Sequence, residues 1–279
     1  TSARYSKDGQ SLVVARRAGY AQILDARTGE ERSRLAGHEG PVTYAEFSPN
    51  GRMVVTASED KSARIWDLER GVLLHKLDSE HLDTVTHASF SPDGKRVVTS
   101  GHDDILCIWD TASGALEQVI VHPSRVPLSS AQFSPDGRFL ALASLEPRFH
   151  LWNLSQKRFV RTFEGFRGAL QSVSFSPDGN WVVAASKDGT AGLFKTTDDR
   201  EVLKLQGGGG RPLVSAEFSP DGQLVVTVGT DGVPLIHPIS HERLLRHACC
   251  VLRGWSDFAL LPVAQEPATA VPRRVRGRP

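Results

Sequence analysis

The sequence contains little of what marks a secreted, membrane-spanning or strongly charged protein. Its three cysteines, two of them adjacent at Cys249 and Cys250, are too few for a disulfide framework, which favours a reducing compartment. No apolar run approaches the roughly 18 residues that a membrane-spanning helix needs, and no N-terminal signal of charged and then apolar residues is present. A net charge of +1 gives no overall attraction to nucleic acid or to acidic membranes.

The sequence also lacks the patterns of catalytic and cofactor sites. It has no Gly-x-Ser-x-Gly and no His-Glu-x-x-His motif. The glycine run 207–210 is not followed by the Lys-Ser/Thr of a phosphate-binding loop, so we interpret it as a flexible loop. Because these motifs are missing, we predict no cofactor and no enzymatic activity. We also predict no metal site, because the one group of possible metal ligands has no zinc-site spacing. That group consists of His237, His241, His247, Cys249 and Cys250.

What the sequence does contain is one five-residue pattern, repeated along its length. Phe90–Gly94 reads Phe-Ser-Pro-Asp-Gly. Proline presets the second position of a tight turn, and Asp-Gly tolerates positive φ, so each copy predicts a turn between two strands. Successive copies are 42 or 43 residues apart, which indicates six copies of one supersecondary unit. The other copies begin at Phe47, Phe133, Phe175 and Phe218, with a degenerate copy at Tyr5.

Each unit holds four short apolar runs. In unit two these runs cover residues 42–47, 53–58, 63–66 and 72–77, and turn residues separate them. Short runs rich in β-branched and aromatic side chains are typical of strands, and short connections favour antiparallel pairing. A four-stranded sheet of this kind has two apolar faces, so we expect the copies to stack face to face in a ring. A solenoid would also stack them, but a ring needs no capping unit.

Units two and three carry a further signature. Their third strands end with Trp66-Asp67 and Trp109-Asp110, and a histidine, His38 or His81, stands nine residues before the aromatic residue of the turn. With these residues the chain resembles the WD-repeat β-propeller family over roughly residues 1–254. The resemblance implies an all-β propeller of six four-stranded antiparallel blades, or an incomplete seven-bladed ring.

The repeat spacing sets the expected domain organisation. Residues 242–252 are interpreted as the last outer strand or a short helix, and residues 255–279 as a disordered tail containing proline and arginine. The six repeats are placed at about 1–37, 38–80, 81–121, 122–165, 166–208 and 209–254.

The same resemblance implies a polar network in each blade. The network joins a His before the first strand, a Ser or Thr on the second, an Asp in the following turn and the Trp on the third. Buried polar groups are costly unless fully paired, and only units two and three have a complete set, so we expect units one and six to be the least stable. Unit two offers His38, Thr56 or Ser58, Asp60 and Trp66, and unit three offers His81, Thr99, Asp103 and Trp109. Unit four has a displaced His122 and Glu146 for Asp, unit five has Phe166 and Phe194 for His and Trp, and unit six has His237-Pro238 for Trp-Asp.

A ring of such sheets has two different faces. The uniform Ser-Pro-Asp-Gly turns lie on one face, and the variable turns between strands two and three lie with the blade junctions on the other. Variable loops on a rigid frame are typical of a binding surface, and the resembling family binds proteins there. We therefore predict a protein-binding face made of Arg16, Arg17, Glu39, Lys61, Asp83, Arg125, Arg148, Arg167, Lys187 and Arg211.

The predicted function is a non-catalytic platform for protein–protein contact, in a scaffolding or sensing role. Bacterial WD-repeat proteins that the sequence resembles carry such arrays after a kinase or nucleotide-binding signalling domain. We therefore expect a cytoplasmic fragment of a larger signalling protein, fused to an effector domain, that binds other proteins or peptides and no membrane.

Two alternative functions are kept. An enzyme with a site in the central channel would use first-strand residues such as Glu46 and Glu217, which we expect to be too dispersed to form a catalytic pair. A nucleic acid could instead bind a basic arc of Arg125, Arg167 and Arg211, with a steep salt dependence, although we expect this less than a protein partner.

Overall fold

The strands of the protein pair in sequence order into six antiparallel sheets, which we call blades one to six. A computed structural model describes residues 2–198 and 200–239. Within these ranges the chain forms strands β1 to β23 and one short 3-10 helix at Gly208–Gly210. The all-β propeller of six blades that the repeat predicts is confirmed.

The first three blades have four strands each. Blade one comprises β1 (Ala3–Tyr5), β2 (Ser11–Arg16), β3 (Tyr20–Asp25) and β4 (Glu31–Ala36). Blade two comprises β5 (Val42–Phe47), β6 (Met53–Ser58), β7 (Ala63–Asp67) and β8 (Val72–Leu77). Blade three comprises β9 (Val85–Phe90), β10 (Arg96–Gly101), β11 (Ile105–Asp110) and β12 (Leu116–Val121).

Blades four and five repeat this plan. Blade four comprises β13 (Leu128–Phe133), β14 (Phe139–Ser144), β15 (Phe149–Asn153) and β16 (Arg158–Phe163). Blade five comprises β17 (Leu170–Phe175), β18 (Trp181–Ser186), β19 (Thr190–Lys195) and β20 (Glu201–Gln206).

Blade six is described through its third strand. It comprises β21 (Leu213–Phe218), β22 (Leu224–Gly229) and β23 (Pro234–Pro238). The strand or helix predicted at 242–252 and the tail predicted at 255–279 lie outside the described residues. No helix in the described ranges is long and apolar enough to cross a membrane.

The Ser-Pro-Asp-Gly turn fixes the register of the first two strands in each blade. Ser91 Oγ donates to Asp93 Oδ1 at 2.6 Å and accepts from Arg96 N at 2.9 Å, which closes the turn from both sides. Gly94 has φ +69, a conformation that side chains other than glycine rarely adopt. A Cβ atom at Gly94 would stand 3.7 Å from the ring of Pro49, so the turns of neighbouring blades lie side by side.

The core consists of successive blade-to-blade interfaces. Val13 and Ile23 of blade one pack with Phe47, Val54 and Trp66 of blade two, and the same layers recur between each later pair. Both faces of a middle blade are buried in this way, which explains why its second and third strands read as continuous apolar runs.

In blades one and six, apolar positions that are buried between blades elsewhere in the protein are exposed to solvent. Tyr5 is 66% exposed and Ile236 is 65% exposed, whereas Phe47 and Ile65 at the equivalent positions of blade two are 7% and 0% exposed. Less apolar surface is removed from water at these two blades, so they gain less hydrophobic stabilisation. Our expectation that blades one and six are the least stable remains a prediction.

Candidate functional site

Backbone hydrogen bonds bring two kinds of loop together on one face of the propeller. In blade two Glu59 N donates to Pro41 O at 3.0 Å, and in blade three His102 N donates to Thr84 O at 2.9 Å. Each bond joins the turn after the second strand to the segment before the first strand of the same blade, and it recurs in blades four to six. We call the surface formed by these loops the loop face, and the opposite surface of Ser-Pro-Asp-Gly turns the turn face.

The ten predicted binding residues lie in the segments that form the loop face. Arg148 is partly buried and the other nine are exposed. The residues of the loop face used below are Arg16, Arg17, Glu39, Lys61, Asp83, Arg125, Arg148, Arg167, Lys187 and Arg211.

Carboxylates accompany two of the arginines predicted on this face. Arg125 Nη1 lies 3.5 Å from Asp104 Oδ2. Arg148 lies between Glu146, at 3.0 Å, and Glu164, at 3.7 Å. The arginines of these pairs are exposed to solvent while Asp104 and Glu146 are partly buried, and together the pairs make the face a mixture of both charge signs.

Two side chains of the loop face occupy backbone positions that suit glycine. Lys61 has φ +69 and Asp104 has φ +59, and Gly19, Gly189 and Gly232 hold the equivalent turn position in blades one, five and six. A non-glycine residue in this left-handed region costs roughly 1–2 kcal/mol. Blades two and three therefore keep a charged side chain at this turn although glycine would be more stable there.

Behind the loop face, blade two holds a closed polar network. His38 Nδ1 lies 2.8 Å from Asp60 Oδ2, and His38 Nε2 lies 2.7 Å from Thr56 Oγ1. The indole Nε1 of Trp66 donates to the same hydroxyl at 2.9 Å. With its proton on Nδ1, the imidazole donates to the carboxylate and accepts from the hydroxyl, so every group is paired.

Blade three repeats this network with almost the same distances. His81 Nδ1 lies 2.9 Å from Asp103 Oδ2, and His81 Nε2 lies 2.8 Å from Thr99 Oγ1. Trp109 Nε1 donates to Thr99 Oγ1 at 2.9 Å. The structure thus brings together all four residue types that the sequence assigned to one network in each of these blades.

Ser58 has a different role from Thr56, its alternative in the sequence. Its hydroxyl donates to Pro41 O at 2.9 Å and accepts from Asp60 N at 3.1 Å. Ser58 therefore holds the loops against one another, whereas Thr56 joins the histidine to the tryptophan.

The network favours an ionised aspartate beside a neutral histidine. Burial opposes ionisation of Asp60, but hydrogen bonds from Ser62 and His38 prevail and lower its pKa to about 2. Burial also lowers the pKa of His38, although Asp60 counteracts this. We interpret these histidine–aspartate pairs as structural, because they recur at one repeat position and are closed by a hydroxyl and an indole.

Blade five has replaced most of the network with apolar groups. Phe166 and Phe194 stand for His and Trp, with ring centroids 5.8 Å apart, and Ala184 stands for the threonine. Asp188 remains, and its carboxylate accepts from the backbone N of Arg167 at 2.7 Å. The aspartate therefore stays paired without a histidine.

Blade four has lost the hydroxyl but kept the groups that would bind it. Leu142 occupies the threonine position, while His122 and Trp152 remain. Among the described residues, His122 Nε2 and Trp152 Nε1 are buried and have no hydrogen-bond partner. Burial lowers the pKa of His150, which lies beside His122, to about 4.

A charged cluster lines the channel at the join between blades one, two and six. Arg4 forms an ion pair with Glu217, and its Nε donates to Tyr44 Oη at 2.9 Å. Tyr44 Oη in turn donates to Glu46 Oε2 at 3.1 Å, and burial raises the pKa of Glu46 to about 7. Arg4 and Tyr44 therefore link Glu46 to Glu217. That the two glutamates are too dispersed to form a catalytic pair stays a prediction.

Sequence reasoning missed this link although it carried the signal. Arg4, Glu46 and Glu217 occupy the same position of their first strands, so their side chains point into one channel. Arg4 carries the opposite charge, so an ion pair between it and a glutamate at the same strand position could have been expected. Within the described part of the chain, these contacts connect blades to one another and include no nucleophile.

Open grooves lie between neighbouring blades on the turn face, away from the predicted binding residues. One, of about 630 Å³, lies between blades one and two and is lined by residues including Asp8, Arg32 and Asn50. A second, of about 570 Å³, lies between blades five and six beside Trp181 and Asp221. Both are open and built from repeated turn residues, which does not resemble the enclosed apolar pocket of a small-molecule site.

Comparison with known proteins gives one match over most of the chain and several over short segments. The family described as the IFT122 first β-propeller matches residues 1–249. A segment of 46 residues is 48% identical to the periodic tryptophan protein 2 homolog of Neurospora crassa, covering 16% of this chain and 5% of that protein. A segment of 70 residues is 37% identical to WD repeat-containing protein SL1-17 of Schistosoma mansoni, covering 25% of this chain and 23% of that protein.

A third relative is similar over a segment of comparable length. WD repeat-containing protein 1 of Gallus gallus is 37% identical over 68 residues, which is 23% of this chain and 11% of that protein. The chain thus matches less than a quarter of the length of each of these three relatives. All three are eukaryotic, so they give no support to the expected resemblance to bacterial WD-repeat proteins.

Proposed function

The chain belongs to the family of the IFT122 first β-propeller, a WD-repeat β-propeller family, and we propose that it binds a protein partner through its loop face as a non-catalytic scaffold. WD-repeat propellers generally bind other proteins. We also propose that it acts in the cytoplasm as part of a larger signalling protein, joined to an effector domain. Two of the relatives support a larger protein, because the matched segments of 46 and 68 residues make up only 5% and 11% of their lengths.

One observation carries the assignment to the loop face. Lys61 keeps an exposed charged side chain, and Asp104 a partly buried one, at a turn position where three other blades have glycine. Retaining a less stable conformation is expected where the side chain contributes to binding, because strained backbone is concentrated at functional sites. The mixed charge around Arg125 and Arg148 favours a protein surface over the uniform phosphates of nucleic acid.

The first test separates binding from stability at a single turn. Lys61→Gly removes the side chain and relieves the left-handed strain, so the variant should be as stable as the parent or more stable by about 1 kcal/mol. We expect it to bind less partner. Lys157→Gly is the matched control, because Lys157 also has positive φ, at +50, but lies in a turn between third and fourth strands, on the turn face.

The partner itself can be sought by quantitative affinity capture from the source cells with two triple variants. Reversing the charge of Arg125, Arg167 and Arg211 changes three neighbouring blades on the loop face. Reversing Arg52, Lys95 and Arg138 changes three neighbouring blades on the turn face, where all three residues are exposed. We expect specific partners to be lost only from the first variant, and equal capture by both variants would contradict the proposal.

The same variants test the nucleic-acid alternative. If the arc of Arg125, Arg167 and Arg211 bound DNA or RNA, the logarithm of the affinity would fall steeply with that of salt concentration. We expect weak binding to either nucleic acid at physiological salt, and no difference between the two triple variants. Tight, salt-sensitive binding that the loop-face variant loses would favour the nucleic-acid function instead.

A further inference from the structure

Blade four contains an unusual group of buried polar atoms. His122 is 1% exposed and His150 is 5% exposed, and Glu146 is partly buried beside them. Their side-chain ligand atoms lie within 4.8 Å of one another. Nε2 of His122, Nε2 of His150 and Oε2 of Glu146 all have no hydrogen-bond partner within the described residues. Three potential metal ligands therefore meet at one place, and the two imidazole nitrogens have no donor bound to them.

The group arises from two changes to the network seen in blades two and three. The threonine that would bond the histidine is Leu142 in blade four, which leaves His122 without its hydroxyl partner. The third strand then supplies a second imidazole, His150, where blades two and three have Arg64 and Cys107. Glu146 takes the place of the network aspartate, with a side chain one methylene longer.

We propose that His122, Glu146 and His150 form a binding site for a zinc-type divalent cation in blade four. Two imidazoles and one carboxylate are a ligand set that zinc accepts, with a fourth position left for water. A buried, unpaired imidazole nitrogen costs free energy, and a cation that takes its lone pair removes that cost.

The geometry needs only a small rearrangement to bind the ion. Ligand atoms around a tetrahedral zinc ion stand about 3.3 Å apart, as follows from metal–ligand bonds of about 2.0–2.1 Å. The three atoms must therefore approach one another by about 1.5 Å or less from their present separation of at most 4.8 Å. Rotation of the Glu146 side chain and of the imidazole rings can supply this, because these atoms lie at the ends of side chains.

The groups around the two histidines partly prepare the site. His150 Nδ1 lies 3.0 Å from Thr162 Oγ1, so its proton can be held there while Nε2 faces the ion. His122 Nδ1 accepts a long bond of 3.3 Å from Ser124 N, and zinc binding at Nε2 would move a proton to Nδ1 and break it. Arg148 Nε lies 3.0 Å from Glu146 Oε2, without hydrogen-bond geometry. For Glu146 to bind the ion, the Arg148 side chain must turn away from it toward Glu164.

Zinc alone is the probe for the test. The chain is freed of metal with a chelator and titrated with zinc in competition with a chromophoric chelator. Since Cys249 and Cys250 lie outside the described residues and could bind zinc themselves, the parent for this test carries Cys249→Ser and Cys250→Ser. We expect one zinc ion per chain and a rise in melting temperature upon binding.

Two variants locate the ion, and a third serves as the control. His150→Phe and Glu146→Gln should each weaken zinc binding by more than about 100-fold, beyond the 10–100-fold typical of changes around a ligand. His75→Gln, which changes a histidine on the outer strand of blade two, should bind as the parent does. Circular dichroism of the metal-free variants confirms that each still folds.

Cobalt substitution distinguishes the ligands directly. Cobalt bound by two imidazoles and a carboxylate gives visible d–d bands and no thiolate charge-transfer band. The proposal is overturned if the parent without Cys249 and Cys250 binds no zinc, or if its His150→Phe variant binds zinc as tightly. It is also overturned if the cobalt spectrum of the original chain shows only thiolate ligation.

Discussion

Blades four and five have both lost the threonine of the polar network, but they differ in what surrounds the missing hydroxyl. In blade five the histidine and tryptophan positions became Phe166 and Phe194, and the threonine position became Ala184, so apolar groups meet apolar groups. In blade four His122 and Trp152 stayed while the hydroxyl became Leu142, which leaves two buried nitrogens without a partner among the described residues. Replacing all partners together is nearly neutral, whereas removing one leaves the desolvation cost of the others.

The largest loss of stability is expected when a complete network loses its threonine hydroxyl, as blade four has. Thr99→Val keeps the shape of the side chain and removes the hydroxyl that His81 Nε2 and Trp109 Nε1 share. We expect a loss of about 2–4 kcal/mol in the free energy of unfolding, from two unpaired buried groups. Urea denaturation at pH 7 measures this loss. Leu142→Val, at the same position in blade four, should cost only about 1 kcal/mol, and equal losses would show that the hydroxyl is not shared.

A smaller effect is expected when the carboxylate of an intact network loses its charge. The pKa of Asp60 is about 2 when folded and 3.8 as a free side chain, so its stabilisation is complete above pH 3.8 and disappears as the pH falls through 2. Asp60→Asn should cost about 2 kcal/mol at pH 6. The difference in unfolding free energy from the parent should shrink as the pH is lowered from 5 to 2. A difference that stays constant over this range would contradict the role of the ionised carboxylate.

Blade five can be turned into the arrangement of blade four by one change. Phe166→His introduces an imidazole that Asp188 can bind through one nitrogen, while the other faces Ala184 and stays unpaired. We expect a loss of about 1–2 kcal/mol in the free energy of unfolding. Adding Ala184→Thr supplies the missing hydroxyl, so the double variant should recover part of the loss in a double-mutant cycle. Additive losses from the two changes would argue against a transferable network.

The smallest effect is expected in blade six, where the threonine hydroxyl bonds a histidine and the tryptophan is absent. Thr227 Oγ1 lies 2.9 Å from His237 Nε2, and β23 ends in Pro238 instead of the Trp-Asp pair. Thr227→Val should therefore cost about 1 kcal/mol, less than half the loss at Thr99. Thermal unfolding of both variants under the same conditions gives the ratio, and a loss as large as that of Thr99→Val would break the comparison.

Much of the fold could be predicted because the repeat states it six times. The Phe-Ser-Pro-Asp-Gly turns gave the strand boundaries and the blade count, since proline and glycine restrict the backbone independently of distant contacts. The pairing of His38 with Asp60 was implied by the resemblance to the WD-repeat family. The role of Ser58 could not be predicted, because Thr56 and Ser58 lie two residues apart on the same face of one strand, and only the neighbouring loops decide which hydroxyl the histidine reaches.

The sites in blade four and in the channel show where sequence reasoning ended. In the sequence, the possible metal ligands that stand close together are His237, His241, His247, Cys249 and Cys250. His122, Glu146 and His150 belong to a junction, a turn and a strand, and their spacing fits no motif. Arg4 and Glu217 come from opposite ends of the described chain, so their pairing requires the sheets to curve around one channel.

The sequence alone therefore determined the repeating unit and its turns, because these depend on local backbone preference and on repetition, while its resemblance to the WD-repeat family indicated the residues of two complete networks. The tertiary structure decided which buried groups have partners. It left blade five apolar, gave blade four two imidazoles and a carboxylate in close proximity, and joined two distant glutamates through one arginine. Pairing of polar groups depends on distances of about 3 Å between segments far apart in the chain, and only packing fixes those distances.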